Sequence, residues 1–427
     1  MKKALIICYY WPPAGGPGVQ RWLKFVKYLR DFDIEPVVYV PQNPHYPIKD
    51  ESLVAEIPEG IEVIKQPVFE PYALASAFSK KSTEQLSSGI IKAEEKQSVV
   101  QKLMLFVRGN LFIPDARKFW IKPSVRFLKN YLENNPVDCI ITTGPPHSLH
   151  LIGLRLKTII GLPWLADFRD PWTQIGYQKK LKLTRAAQRK HKQLEHQVLT
   201  GADHILVTSY ATQKLFEKQT SKPVSCITNG FDEEQILDVN LDKSFSLSHI
   251  GSLLEDRNPK VLWEVLRELK EEFPNFETDL RINLAGKVSA SVVDSIKAEG
   301  LEENLKLHGY ISHREALKMQ HRSPILILIE IDSEETQLII PGKLFEYLAA
   351  RRPVLAIGPP QSDVRKLLVD TDAGFYYEYT QKEKLKKTLK NWYRAYKESE
   401  ITTAHTNLQA FTRKQLTAEL AAILHRL

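Results

Sequence analysis

The chain is poor in the residues and runs that would place it in several large classes. Its three cysteines, Cys8, Cys139 and Cys226, are odd in number and far apart. They form no disulfide frame and no metal-ligand spacing, which points to a reducing compartment. No apolar run approaches the roughly 18 residues of a membrane helix; the longest candidate, Ile325–Ile331, is strand-sized. A secretory leader is also lacking. Lys2 and Lys3 precede only seven apolar residues, Ala4–Tyr10, and Trp11-Pro12-Pro13-Ala14-Gly15-Gly16 then follows without a small-residue cleavage site. The segment reads as a buried first strand of a cytoplasmic protein. No G-x-G-x-x-G spacing is present around Gly15-Gly16-Pro17-Gly18, which argues against a dinucleotide site.

What is present is an ordinary globular composition, 43% hydrophobic and 26% charged, over 427 residues, enough for two domains. The net charge of +8 is unevenly distributed. Residues 1–230 hold 32 Lys and Arg against 20 Asp and Glu, whereas the remainder holds 27 against 31. The densest cluster is Lys179, Lys180, Lys182, Arg185, Arg189, Lys190 and Lys192, with no acid between Pro171 and Leu194. An anionic partner is expected on the N-terminal half, a membrane surface or a lipid diphosphate. Nucleic acid is disfavoured, because no aromatic interrupts the cluster and no nucleic-acid motif appears. A solvated helix face is the plain alternative.

Short apolar runs alternate with helical periodicity. Leu5–Tyr10 precedes a glycine-rich loop and a helix carrying Val19, Trp22, Leu23, Val26 and Leu29 at 3.6 spacing. Further strands are expected at 35–40, 139–141, 164–166, 204–207 and 224–227. In the second half they are expected at 247–250, 280–284, 305–307, 325–331, 354–357 and 374–377. Continuous apolar runs mark parallel strands covered on both faces. The expected architecture is α/β, two Rossmann-like doubly wound domains facing across a cleft. Residues 1–235 form the first, with an insertion at about 66–136, and 236–404 the second. Residues 405–427 form a last helix able to pack back on the first domain. The insertion suits a basic amphipathic surface, a lid or a simple packed helix.

Pro341-Gly342-Lys343-Leu344-Phe345-Glu346-Tyr347, followed by Arg351-Arg352-Pro353-Val354-Leu355, resembles the donor-binding signature of the retaining glycosyltransferases of family 4, which have the GT-B fold. The resemblance includes Gly15-Gly16, Ala166-Asp167-Phe168-Arg169-Asp170-Pro171-Trp172, and Thr228-Asn229-Gly230-Phe231-Asp232. Gly251-Ser252-Leu253 with Arg257-Asn258-Pro259, and His308-Gly309-Tyr310, complete the set. It implies a nucleotide-sugar donor as co-substrate, with no other cofactor and no metal required.

The same resemblance implies a donor site built from Gly15, Gly16, Ser252, Arg257, Tyr310, Gly342, Lys343, Leu344 and Glu346. A lysine opening a helix works against the helix dipole, so Lys343 is expected to face an anion. Arg257, at the start of the second domain's first helix, stands where the family usually has a diphosphate-binding lysine. Ser252 replaces the family's frequent arginine. Glu346 is assigned the ribose diol. The acid eight positions earlier that the family carries is absent, Leu338 standing there, and Glu334 or Glu335 is the nearest substitute. Tyr310 is expected along the base.

For chemistry, His147, Arg169 and Asp170 are the candidate helpers. His147 would act as a neutral hydrogen-bond partner to the sugar. Asp170 would orient or deprotonate the acceptor hydroxyl, and Arg169 would hold an acceptor phosphate or position Asp170. The implied activity is transfer to a lipid-linked or polysaccharide precursor in cell-surface glycan synthesis, on the inner membrane face. A nucleotide-sugar epimerase of the same fold and a non-catalytic binding subunit are the alternatives.

Overall fold

A computed structural model describes residues 1–70, 99–179, 181–233, 239–398, 401 and 403–427. The chain divides into two compact units, Met1–Thr228 with Arg413–Leu427, and Asn229–Thr412. The sequence reading set these divisions at 235/236 and 405.

The first unit is built on a seven-stranded sheet. Its strands are β1 (Lys2–Ile7), β2 (Ile34–Pro41), β3 (Glu62–Gln66), β4 (Cys139–Gly144), β5 (Trp164–Phe168), β6 (His204–Val207) and β7 (Val224–Cys226). They run in the order β3-β2-β1-β4-β5-β6-β7, every pair parallel. Ala4–Ile7, Ile140, Ile141, Leu165 and Ala166 are fully buried, as strands covered on both faces require. The expected periodicity holds in helix α1 (Pro17–Leu29), where Val19, Trp22, Leu23, Val26 and Leu29 all reach the core.

The segment 66–136 is more structural than an insertion. Helix α2 (Val99–Leu111) is followed by α3 (Lys118–Asn134), which sends Trp120, Ile121, Leu128 and Leu132 into the core and leads into β4. It is the crossover that a parallel sheet needs. The polar stretch noted within 66–136 falls mostly on 71–98, outside the described residues. Three further helices cover this sheet: α4 (Ser148–Ile160), α5 (Arg185–Gly201) and α6 (Tyr210–Glu217).

The second unit has a six-stranded sheet of β8 (Phe245–Ile250), β9 (Leu280–Ala285), β10 (Leu305–Gly309), β11 (Ile325–Ile329), β12 (Val354–Gly358) and β13 (Gly374–Glu378). The order is β10-β9-β8-β11-β12-β13, again wholly parallel. Helices α7 (Lys260–Glu272), α8 (Ala290–Ala298), α9 (His313–Arg322), α10 (Lys343–Ala350), α11 (Asp363–Thr371) and α12 (Lys382–Lys397) flank it. In both sheets strand order reverses beside the first strand, at β1/β4 and at β8/β11. Loops at the carboxyl ends diverge there and leave a crevice for a ligand.

The last helix, α13 (Arg413–Arg426), belongs to the first unit. Leu416, Leu420, Ala421 and Leu424 join that core, Lys2 Nζ donates to the Leu424 carbonyl at 2.7 Å, and Lys414 pairs with Asp31 at 2.8 Å. Among the described residues no helix is long and apolar enough to cross a membrane. Leu424 is fully buried, so Leu424→Ala is expected to destabilise the first unit by about 2–5 kcal/mol in urea unfolding.

Candidate functional site

The predicted site residues fall into two groups, one at the carboxyl edge of each sheet. In the second unit, β8 ends at Ile250 and the chain turns through Gly251, whose φ of 129° favours glycine. A Cβ there would stand 2.5 Å from Lys343 Nζ. The lysine, first residue of α10, thus lies along bare backbone. Its Nζ is 3.4 Å from His249 Nε2, and among the described residues it forms no ion pair. Burial, reinforced by the nearby Arg257, pulls the Lys343 ammonium down to about 8, Glu346 opposing. Burial and the same two cations hold His249 neutral, and its Nδ1 lies 3.0 Å from the Ile327 carbonyl.

Arg257 closes a 3-10 turn, Glu255–Arg257, three residues before α7, rather than opening the helix as expected. Its Nε is buried without a hydrogen-bond partner. Two cations therefore stand at the β8/β11 reversal, with Glu346 and Glu330 near enough to act on them but neither forming an ion pair with them among the described residues. The helix start gives fewer amides than expected. Leu344 and Phe345 donate to Pro341 and Gly342, which removes Leu344 as a ligand and leaves the Gly342 and Lys343 amides without a backbone acceptor. Glu346 Oε2 accepts from Gln320 Nε2 at 2.8 Å. Ser252 is exposed, as is Glu334. Tyr310 is 95% exposed, so its ring packs on nothing in its own unit.

A further buried acid stands at this sheet, at a position the sequence pattern does not single out. Glu330 directly follows β11 and is 1% exposed. Its Oε2 accepts from Ser362 Oγ at 2.7 Å and Tyr376 OH at 2.9 Å, while Oε1 is buried without a partner. Gly358 makes room, since a Cβ there would meet Oε2 at 2.8 Å. Burial raises this carboxyl to about 7; the two hydroxyls and Arg257 pull the other way, and Asp363 adds to the rise.

In the first unit, Gly16 opens α1 with φ 96°. Gly15, expected to admit a phosphate, is instead packed against the loop after β2, where a Cβ would meet Ile48 Cγ2 at 2.9 Å. The close approach belongs to Gly18, across which the Arg169 guanidinium lies. Arg169 donates to the carbonyls of Gly144 and Pro145, and its guanidinium sits 5.9 Å from the Tyr10 ring centroid. It forms no ion pair with Asp170, so the carbonyls, not that acid, hold it. Among the described residues Asp170 makes no hydrogen bond, and its carboxyl is raised by burial, Arg169 opposing and Asp167 adding.

His147 stacks on Trp172 at 4.7 Å with the rings 2° from parallel, and both ring nitrogens are buried without partners. Burial, with His150, Arg169 and His191 nearby, holds it well below the usual imidazole range, hence neutral as expected. It does not cap α4. Asp115 does that, accepting from the Ser148 amide at 2.9 Å. The main acid here is Asp167, fully buried at the end of β5, which accepts from Arg21 (3.1 Å), Trp22 Nε1 (2.7 Å) and Thr143 Oγ1 (2.8 Å). It ties α1, β4 and β5 together.

No protein-family model and no curated protein sequence matches the chain. Solved structures do. Sucrose-phosphate synthase from Thermosynechococcus elongatus superposes with a TM-score of 0.64 at 13% identity, over 100% of this chain and 99% of its own. HepE from Anabaena, solved with UDP, gives 0.59 at 15% identity over 100% of both chains. A protein from Listeria monocytogenes designated a UDP-N-acetylglucosamine 2-epimerase gives 0.56 at 11%, over 99% and 96%. At such identities the likeness establishes the fold: two parallel-sheet α/β domains of the GT-B kind.

Glu330 supplies a test of the site's electrostatics. Its folded value exceeds the ordinary 4.5, so the native state favours the protonated form. Stability is then greatest below about pH 4.5 and falls until about pH 7. Glu330→Gln is expected to flatten that slope and to raise stability at pH 8 by about 1 kcal/mol or more, read by urea unfolding at pH 5 and 8.

Proposed function

We propose that the chain is a retaining nucleotide-sugar glycosyltransferase of family 4, acting on a lipid-linked or polysaccharide precursor of a cell-surface glycan. The observation that carries this reading is the pair Lys343 and Arg257, half-buried at the carboxyl edge of the second sheet and neither of them in an ion pair among the described residues. A diphosphate supplies the missing charge. HepE, of the same fold, was solved with UDP and with UDP-glucose. In this reading Lys343, Arg257 and the amides of Gly342 and Lys343 hold the pyrophosphate, and Glu346 takes the ribose. Fixed positive charge stabilises the leaving group, so no metal is called for.

The anomeric carbon–phosphate oxygen bond breaks, the acceptor oxygen bonds to that carbon on the same face, and its proton passes to the departing phosphate. Asp170, free of hydrogen bonds among the described residues, orients the acceptor hydroxyl, and neutral His147 donates to the sugar. The acceptor side is supported by an apolar and cationic face on the first unit. Leu103, Phe106, Leu111 and Phe119 are exposed, Lys118 Nζ lies over the Phe112 and Phe119 rings, and Lys102 and Lys122 are also exposed. Such a face suits peripheral binding to an anionic inner membrane.

The epimerase reading draws on the Listeria neighbour and on the buried acid Glu330. Incubation of UDP-sugars without acceptor separates the two, since an epimerase converts the sugar and a transferase leaves it intact. Sugar transfer to a membrane lipid extract excludes a mere binding subunit, and its absence with every nucleotide sugar offered sinks the proposal.

UDP binding has a defined pH dependence in this reading. The diphosphate favours charged Lys343, so affinity is full below about pH 8, the value to which Lys343 is lowered, and declines above it. Lys343→Ala should lose about 1–3 kcal/mol by calorimetry at pH 7 and remove the decline. Equal affinity in the variant at both pH 7 and 9 to that of the parent rejects the assignment.

A further inference from the structure

A second concavity lies in the first unit, outside the groups described above. It has a volume of about 170 Å³ and is lined by Thr173, Gln178, Leu183, Gln188 and Lys192. The short helical turn Gly176–Lys179 forms one side and the first turns of α5 the other. Its chemistry is that of an anion-and-hydroxyl receptor. Gln178 lines it at only 9% exposure, and its carboxamide can both donate to and accept from a ligand there. Lys192 is exposed and forms no ion pair among the described residues.

The nearby acid, Glu195, is already engaged. It accepts from the Thr173 amide at 3.0 Å and from the Thr173 hydroxyl, so it does not quench Lys192 as a dedicated partner would. Arg185 and Arg189, also exposed and unpaired, extend the positive charge along the same helix. No acid lies between Pro171 and Leu194.

Size narrows the ligand. Sites for whole drug-sized molecules run to roughly 300–1,000 Å³, so 170 Å³ suits a compact head rather than a nucleotide sugar. Position narrows it further. Thr173 follows Asp170 by three residues, and Leu183 packs with Leu105, Met104 and Leu181 under the exposed Leu103 and Phe106 of α2.

We propose that this cavity binds a phosphoester of a small polyol, the head of the acceptor, with Lys192 on the phosphate and Gln178 on a phosphate or hydroxyl oxygen. The acceptor role rests on the transferase reading; the binding itself does not.

The test uses the full chain, glycerol 3-phosphate as soluble probe, and vesicles of phosphatidylglycerol in phosphatidylcholine as the membrane source. Lys192→Gln should weaken whichever source binds by tenfold or more. Gln188→Trp, which fills the cavity from an exposed position, should abolish that binding. Lys190→Gln, an equal charge loss on a residue that does not line the cavity, should change it by less than twofold. UDP affinity should stay as in the parent throughout.

Equal losses in Lys190→Gln and Lys192→Gln would reduce the effect to diffuse surface charge and overturn the proposal, as would binding of neither probe. Binding to vesicles alone assigns a lipid head, and binding of glycerol 3-phosphate assigns a soluble or exposed phosphoester. Phosphoester binding without any UDP binding keeps the cavity and removes the transferase reading.

Discussion

Two parallel sheets buried on both faces govern everything else in this chain. Their central strands have no solvated side on which to carry charge, so polar chemistry is confined to the loops beyond the strand ends. In each sheet the order reverses beside the first strand, and there the loops part. The residues that matter stand at those two places: Gly251, Arg257, Lys343 and Glu330 at β8/β11, and Arg169, His147 and Gly18 around β1/β4. Gly251 and Gly18 do comparable work. Each gives up a side chain so that a cation can lie along the backbone.

The same rule explains what could be read in advance. Continuous apolar runs and the 3.6 spacing of Val19, Trp22, Leu23, Val26 and Leu29 report burial directly, so the doubly wound architecture was legible. Lys343 was legible because a lysine at a helix start contradicts the dipole. Side-chain partners were not. Nothing in the order of residues says that Arg169 turns to the carbonyls of Gly144 and Pro145 rather than to the adjacent Asp170. The tight fit of Gly15 against Ile48 joins loops thirty-odd positions apart, which local patterning does not encode.

Two carboxylates were given no role in the sequence: Asp167 stood in the resemblance motif without an assignment, and Glu330 lay inside the apolar run expected at 325–331. An acid at the carboxyl end of a buried parallel strand is in fact a signal. It costs several kcal/mol to desolvate unless partnered, so its presence implies a built environment. The two environments differ. Asp167 accepts from Arg21, Trp22 and Thr143, which marks it as a tie between elements. Glu330 retains an unpartnered oxygen, which marks a group left ready for a change of state.

That contrast also separates structural cations from functional ones. Arg21 is more deeply buried than Lys343, but its charge is met by Asp167 at 3.1 Å and by the Thr228 carbonyl at 3.0 Å. Lys343 has a neutral imidazole beside it and a second cation nearby, and Glu346 acts on it without forming an ion pair among the described residues. Lowering its ammonium from 10.5 to about 8 corresponds to about 3 kcal/mol of disfavoured charge. A fold that keeps such a penalty gains nothing from it in isolation, since a leucine or methionine would fill the same space along Gly251 without desolvating a charge. In the proposed reading that penalty is offset when a diphosphate meets Lys343 and Arg257 together, whereas a single monovalent anion offsets only part of it.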